Sequence, residues 1–213
     1  MRAMNSLLLI WGAGGHGKVV MDIARNIGRF ESIAFLDDDR ARDGDTFFEC
    51  AVISEPEELK RFTGKAFTVA VGDNRIRAQC FCRGLASGLS PTTLVHRTAV
   101  ISPLANIGRG TVLMPGVIVN ADAIIGENCI VNTGAIVEHD CQIFDHVHIS
   151  PRVVLGGGVT VGAYAHIGIG AVVLPGAKVG EGSIVGAGAV VVREAPAHRT
   201  VVGVPAKIFS GGK

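Results

Sequence analysis

The chain has 213 residues, a formal net charge of +1 and only 18% charged residues, so it carries no field suited to nucleic acid or an anionic membrane surface. Hydrophobic residues reach 48% but aromatics only 5%, and the 29 glycines are about twice the average share, a balance that points to a regular β architecture filled with small branched side chains. No apolar run approaches the roughly 18 residues of a membrane span, so no membrane insertion is expected, and the five scattered cysteines read as thiols of a reducing cytoplasm, with no metal site.

In chain order, Leu7–Trp11 is a short apolar strand, too short for a signal-peptide core. It runs into GAGGHG at Gly12–Gly17, followed by a predicted helix from Lys18 to Ile27. A second strand is expected over Ser32–Leu36, ending in Asp37-Asp38-Asp39, and a short helix over Pro56–Arg61. A third strand over Ala66–Val71 leads through Gly72-Asp73-Asn74 into a helix from Arg75 to Leu85. This is βαβ order, a small α/β domain of Rossmann type over residues 1–95. Gly12, Gly14 and Gly17 satisfy G-x-G-x-x-G, and Asp37 stands twenty residues beyond Gly17. A glycine turn feeding a helix N-terminus offers N–H groups to phosphate, and an acidic residue at the second strand end suits a ribose. A nucleotide-linked substrate is the leading reading. NAD and a purely structural turn stand beside it, with His16 unusual for NAD and little room for a dehydrogenase site.

From Ile101 to Pro196 the chain reads as sixteen uninterrupted hexads, each beginning with Ile, Leu or Val and carrying Ala, Cys, Ser, Thr or Val at the fifth position. Period six means short straight segments separated by corners, with one large and one small inward residue per segment. Three segments close a triangular coil, so residues 18 apart stack at the interstrand spacing of about 4.8 Å. The second domain, 96–213, is therefore an all-β parallel β-helix of about five coils, and the period breaks at Arg193 before a C-terminal cap ending in VVGVPAKIF. The coil count places Gly157 on His139, His166 on His148, Tyr164 on His146, and Ala187 on Ile169.

GAGGHGKVV, FLDDD, VNTGAIVEHDC and the terminal GVPAK together resemble the nucleotide-sugar N-acetyltransferases of the hexapeptide-repeat acyltransferases. That group includes bacillosamine-pathway, perosamine and sialic-acid (NeuD/PglD-like) enzymes, and the resemblance spans residues 6 to 208. It implies a left-handed coil, opposite to the general right-hand rule for parallel crossovers. It also implies a homotrimer with intersubunit sites and acetyl-CoA as co-substrate. The implied reaction is acetylation of the amine of a nucleotide-linked, UDP-type 4-amino-4,6-dideoxy sugar for bacterial glycan or polysaccharide biosynthesis.

The matching substrate-binding residues are Gly14, Gly15 and His16, Asp37 and Asp38, and Gly72 and Arg75, although Gly72-Asp73-Asn74-Arg75 departs from the family pattern. His139 in Glu138-His139-Asp140 is implied as the general base, with Asp140 holding its tautomer and Glu138 competing for the role; without the family, the triplet reads as a solvated surface. Asn132 is a candidate to orient the amine. Gly157, directly above His139 by coil count, offers a backbone N–H to the developing oxyanion, against the alternative of a plain glycine corner. For acetyl-CoA the matches are His148 at the thioester end and Ile169 and Ala187 along the pantetheine, with Lys207 a candidate for the phosphates. His96 and His198 read as surface residues, as does His166, and His146 as packing between subunits. Three competitors stand: a sugar O-acetyltransferase, a zinc-dependent hydratase needing three converging histidines, and a non-catalytic nucleotide-binding module.

Overall fold

The computed structural model describes residues 6–54 and 56–210, in two compact units, Met1–Arg97 and Thr98–Lys213. The N-terminal unit is a sheet of β1 (Leu7–Trp11), β2 (Ser32–Leu36), β3 (Thr46–Phe47), β4 (Cys50–Ile53), β5 (Ala66–Val69) and β6 (Ser90–Pro91), with helices α1 (Gly15–Ile27) and α2 (Asn74–Ala86). The order is β3-β4-β2-β1-β5-β6, all parallel except the β3–β4 hairpin. β1 alternates its side chains: Leu9 and Trp11 enter a core with Leu36, Phe67, Val69 and Phe81, while Leu8 and Ile10 are buried away from that cluster.

Several boundaries move from those expected. α1 begins at Gly15, not Lys18, because Gly14 caps it from extended backbone and the loop glycines enter the first turn. β5 ends at Val69, not Val71, α2 runs Asn74–Ala86, and Pro56–Phe62 is a 3-10 helix. The sequence reading missed the β3–β4 hairpin, whose two-residue turn carries Phe48 and Glu49 at positive φ rather than the usual glycine or asparagine.

The second unit is the expected left-handed parallel β-helix. Two-residue strands alternate with corners, and the ladder register is 18 residues up to the break in period: Ile118 pairs with Ile136, Val154 with Val172, His148 with His166. Every coil places a large residue from hexad position 1 and a small one from position 5 inward. Val137 and Cys141, Ile149 and Val153, Leu155 and Val159, and Val161 and Ala165 are all fully buried. The fourth position of every hexad from the second to the fifteenth takes the left-handed backbone region, from Gly110 through Asp122, Asn128, Asp140, His146, Arg152 and Tyr164 to Gly188. Glycine holds only part of this set; aspartate, asparagine and histidine tolerate the conformation, and Arg152 and Tyr164 adopt it at a cost. At the break in period the register shortens to 16 residues, with Lys178 on Glu194 and Ile184 on Thr200. The chain then turns back, Val201 pairing antiparallel with Ile208.

Candidate functional site

At the carboxyl ends of β1, β2 and β5 the N-terminal unit opens a pocket of about 390 Å3, lined by Trp11 to His16, Asp37 and Asp38, Ala70 to Gly72, Ile76 and Cys80. This is where an open parallel sheet binds ligands. The three fingerprint glycines divide the work. Gly12 turns the chain at positive φ, and a Cβ there would stand 2.8 Å from the Ala70 carbonyl oxygen. A Cβ on Gly17 would collide with the carbonyl of Gly12, so this glycine lets α1 pack on the loop. Gly14 and its neighbour Gly15 have nothing within 4 Å of a Cβ, so the backbone at the start of α1 is open to a ligand, and no acidic residue occupies the first turn of that helix.

Asp37 does not stand free for a ribose. Its Oδ2 accepts from the Ala13 amide at 2.9 Å and from Arg42 Nη1 at 3.3 Å, and its Oδ1 accepts from the Asp39 amide, so it braces the glycine loop. Asp38 lines the pocket with its carboxylate held between the Trp11 indole N–H at 3.2 Å and Arg83 Nη1 at 2.8 Å, while the Arg83 guanidinium lies over the Trp11 ring. Arg75, expected among the ligand contacts, is not a lining residue; its amide is taken by the cap residue Asp73, and Ile76 reaches the pocket instead. Sequence reasoning missed Arg77. Fully buried, it donates to the carbonyls of Val71 and Gly72 and to Asn74 Oδ1 at 2.7 Å, which fixes the end of β5. Burial, aided by the Arg77 charge, holds His16 down at about 4, so it is neutral near pH 7, and burial pushes the Cys80 thiol up to about 11, so it is no nucleophile.

On the prism, His139 and Asp140 project from one corner, 63% and 64% exposed. His139 Nδ1 donates to Asp140 Oδ2 at 2.7 Å, which leaves Nε2 as the outward acceptor. That hydrogen bond raises the His139 pKa above the ordinary 6.5, partial dehydration opposes it, and the charges of Asp140 and Glu138 add to it. The imidazole lies on Gly157, where a Cβ would stand 2.6 Å from Cε1 and 2.7 Å from Nε2. Only glycine leaves room for the ring. The Gly157 carbonyl accepts from Gly176, and its N–H has no acceptor among the described residues. Glu138 points elsewhere: it accepts from Asn120 Nδ2 at 2.9 Å, a residue 18 positions below that the coil count could have found.

A second corner carries a groove of about 520 Å3 lined by Asn132, His148, Ser150, His166, Ile169, Ile184 and Ala187, among others. Its floor is apolar and its polar end is a ladder. Asn132 Nδ2 meets His148 Nε2 at 3.3 Å; an amide nitrogen can only donate, so His148 Nε2 accepts. His166 Nε2 meets Ser150 Oγ at 3.0 Å, and the two imidazoles lie 4.7 Å apart. Asn132 lies in this groove against His148. One expectation is corrected here: His166 lines the groove and is not bare surface. Lys207, in the exposed C-terminal hairpin, is not among the lining residues. His139 stands at the corner between the strands Ile136–Val137 and Gln142–Ile143, whereas His148 lies on the strand His148–Ile149 of another face, and the groove lining holds His148 without His139, so one chain does not bring them into one pocket. Among the described residues no three His, Cys, Asp or Glu side chains are grouped to hold a metal ion.

Residues 7–83 match the PglD N-terminal domain, and 105–139 with 158–193 match the bacterial transferase hexapeptide of six repeats. GDP-perosamine N-acetyltransferase of Escherichia coli O157:H7 is 34% identical over 158 residues, 71% of this chain and 71% of that protein. The chain belongs to the PglD-like family of hexapeptide-repeat acetyltransferases. UDP-N-acetylbacillosamine N-acetyltransferase of Bacillus subtilis strain 168 is 44% identical over 108 residues, 49% of this chain and half the length of that relative. The likeness extends over whole solved chains. A histidine-to-alanine mutant of the Caulobacter crescentus GDP-perosamine N-acetyltransferase, in complex with CoA and GDP-perosamine, superposes with a TM-score of 0.90 at 37% identity, covering 98% of this chain and 99% of that one. The acetyltransferase domain of PglB from Neisseria gonorrhoeae FA1090, in complex with acetyl coenzyme A, gives 0.91 at 40% identity, covering 96% and 100%. The family explains why a Rossmann-type pocket and a hexapeptide prism share one chain.

Proposed function

We propose that the protein transfers the acetyl group of acetyl-CoA to the amino group of a nucleoside-diphosphate-linked 4-amino-4,6-dideoxy sugar. The observation that carries the chemistry is the His139 imidazole seated on Gly157, with its Nδ1–H held by Asp140 and Nε2 turned outward. Nε2 takes the proton of the attacking amine as the C–N bond forms. The Gly157 N–H receives the oxyanion. The C–S bond then breaks, and the proton passes from Nε2 to the departing CoA thiolate. Acetyl-CoA lies in the apolar groove over Ile169 and Ala187, its thioester toward His148 and Asn132. The sugar nucleotide places its diphosphate at the open backbone of Gly14 and Gly15. Complexes of a relative with both ligands in histidine-substituted variants support a histidine in the transfer.

Because the base and the groove lie on different corners, a neighbouring copy completes each site. We infer a homotrimer, supported by exposed apolar side chains on the prism such as Ile124, Phe144, Ile169 and Ile184. Light scattering should give three times 22.1 kDa, and a fully active monomer would overturn the shared site.

The two named relatives differ in nucleotide, UDP in one and GDP in the other, so the test spans both. UDP-, GDP- and dTDP-linked 4-amino sugars are incubated with acetyl-CoA and free thiol is measured. Product stable to alkaline hydroxylamine is an amide; product cleaved by it is an ester and would establish the O-acetyltransferase reading instead. No thiol release with any of the panel would overturn the proposal.

A further inference from the structure

Hexad position 5 is the small inward residue of each segment, and four times it is a hydroxyl or thiol that bonds the corner above: Ser183 at the break in period, to the Pro196 carbonyl, and three residues within the regular coils. Thr111 Oγ1 donates to the Gly126 carbonyl at 2.8 Å, Cys129 Sγ to the Phe144 carbonyl at 3.2 Å, and Cys141 Sγ to the Gly156 carbonyl at 3.2 Å. Each of these last three acceptors lies 15 residues ahead, at hexad position 2. Elsewhere that carbonyl usually closes its own corner by accepting from the amide three residues on, as Asn132 does from Ala135 and Gly168 from Ala171. Among the described residues Gly126, Phe144 and Gly156 make no such bond, and the side chain from the coil below takes its place. At the first of these corners it bridges the gap from both sides, because Thr111 Oγ1 also accepts from the Cys129 amide. Burial pushes the Cys141 thiol pKa up, so it remains an S–H donor at neutral pH.

Among the described residues only the corner held by Cys141 carries the glycine against which the His139 imidazole stacks. The carbonyl of Gly156 and the N–H of Gly157 are the two ends of one peptide group, and that N–H is the donor offered to the oxyanion beside His139. A hydrogen bond to the oxygen of a peptide fixes the plane of the group and polarises its N–H.

We propose that Cys141 is a positioning residue for the acetyl transfer, its buried thiol anchoring the Gly156 carbonyl so that the Gly157 N–H stays aimed at the developing oxyanion. This rests on the reading of Gly157 as the oxyanion donor. Cys141 forms no bond to the acetyl group; its effect passes entirely through the peptide group above it.

The test uses two variants that fill nearly the same space. Cys141→Val keeps the volume and removes the donor, and valine occupies position 5 at Val147, Val153 and Val159 without disturbing the coil. Cys141→Thr restores a donor in the manner of Thr111. Cys129→Val is the control, because it removes the same kind of bond at a corner without His139. Cys141→Val should lower kcat roughly tenfold, part of the 10²–10³-fold that loss of a whole oxyanion donor costs, with little change in either KM. Cys141→Thr should stay within a few-fold of wild type, and Cys129→Val should leave kcat unchanged. The carbonyl stretch of bound carbon-13-labelled acetyl-CoA gives a readout that stability does not move: it should shift toward the value of free acetyl-CoA in Cys141→Val and remain as in wild type in Cys141→Thr. Unchanged kcat and stretch in Cys141→Val, or equal losses in Cys141→Val and Cys129→Val, would overturn the proposal. His139→Ala keeps the two readings apart: if it abolishes turnover while Cys141→Val does nothing, only the role of Cys141 fails, whereas normal turnover in His139→Ala removes the mechanism beneath it.

Discussion

The two units build their pockets by different geometry. On the prism a functional neighbour is reached by translation: adding 18 to a residue number gives the residue above it, so His139 lies under Gly157, His148 under His166 and Asn120 under Glu138. In the α/β unit the pocket is reached by convergence, where the ends of β1, β2 and β5 meet although they are far apart in sequence. Translation preserves side-chain direction from coil to coil. Convergence sends each strand end into a separate hydrogen-bond environment, and neighbours such as Asp37 and Asp38 acquire different roles there.

The sharpest break in the comparison is on the prism. His139→Ala should lower kcat by roughly 10²–10⁴-fold with modest change in KM, while nucleotide-sugar binding to the α/β unit survives. Near-normal turnover would sink the mechanism and leave the fold untouched. Gly157→Ala tests the stacking itself. A methyl group 2.6 Å from Cε1 must displace the imidazole, and a misplacement on the scale of an ångström should cost about 10²-fold in kcat. An unperturbed rate would show that the ring is not used where it lies.

In the α/β unit the corresponding change is Gly15→Val. A side chain there enters open space at the start of α1. Losing a charge-assisted bond to phosphate should weaken nucleotide-sugar binding by roughly 10- to 100-fold, with acetyl-CoA binding intact by calorimetry; equal loss of both ligands would point to misfolding.

Two smaller effects are read by pH. The base form of His139 is populated above its raised pKa, so kcat/KM should climb with pH through that value. Asp140→Asn removes the carboxylate that raises it, and the rising limb should move to lower pH with less loss of kcat than in His139→Ala. Asparagine tolerates the left-handed backbone of this corner, φ 59°. The amine substrate also titrates, so the comparison is made between variants at fixed substrate. If the limb stays put, Asp140 does not act on the histidine. His16 titrates the other unit. Its folded pKa of about 4 lies below its ordinary 6.5, so the unfolded chain binds the proton first. Its contribution to stability is complete above about pH 6.5 and is lost as pH falls toward 4, by at most about 3 kcal/mol. His16→Gln should flatten that part of a denaturant-midpoint profile measured against pH.

The candidate site was legible in proportion to its regularity. The coil count gave Gly157 before any geometry, and it contained Asn120 without that residue being sought. Nothing in the sequence marked Trp11 as part of the pocket wall, or Arg77 and Arg83 as the residues that brace it from behind, because they are ordinary strand and helix residues until the sheet order brings them together. The place of Arg75 was not legible for the same reason: a helical residue's direction depends on where the helix begins, and with Asp73 capping α2 it is Ile76 that lines the pocket.

By itself the sequence determined the period, and with it the register of the prism, its inward residues and the stacking of His139 on Gly157, because a six-residue repeat admits one closed packing of large and small side chains. It also determined the glycine turn of the α/β unit, since only that spacing supplies a positive φ at Gly12 and close packing at Gly17. Tertiary structure alone decided that Asp37 braces a loop while Asp38 faces a pocket, that Asn132 belongs with His148, and that base and groove lie on separate corners. Those outcomes depend on which way a side chain leaves a turn and which partner satisfies it first, and both are set by neighbours that chain order does not place together.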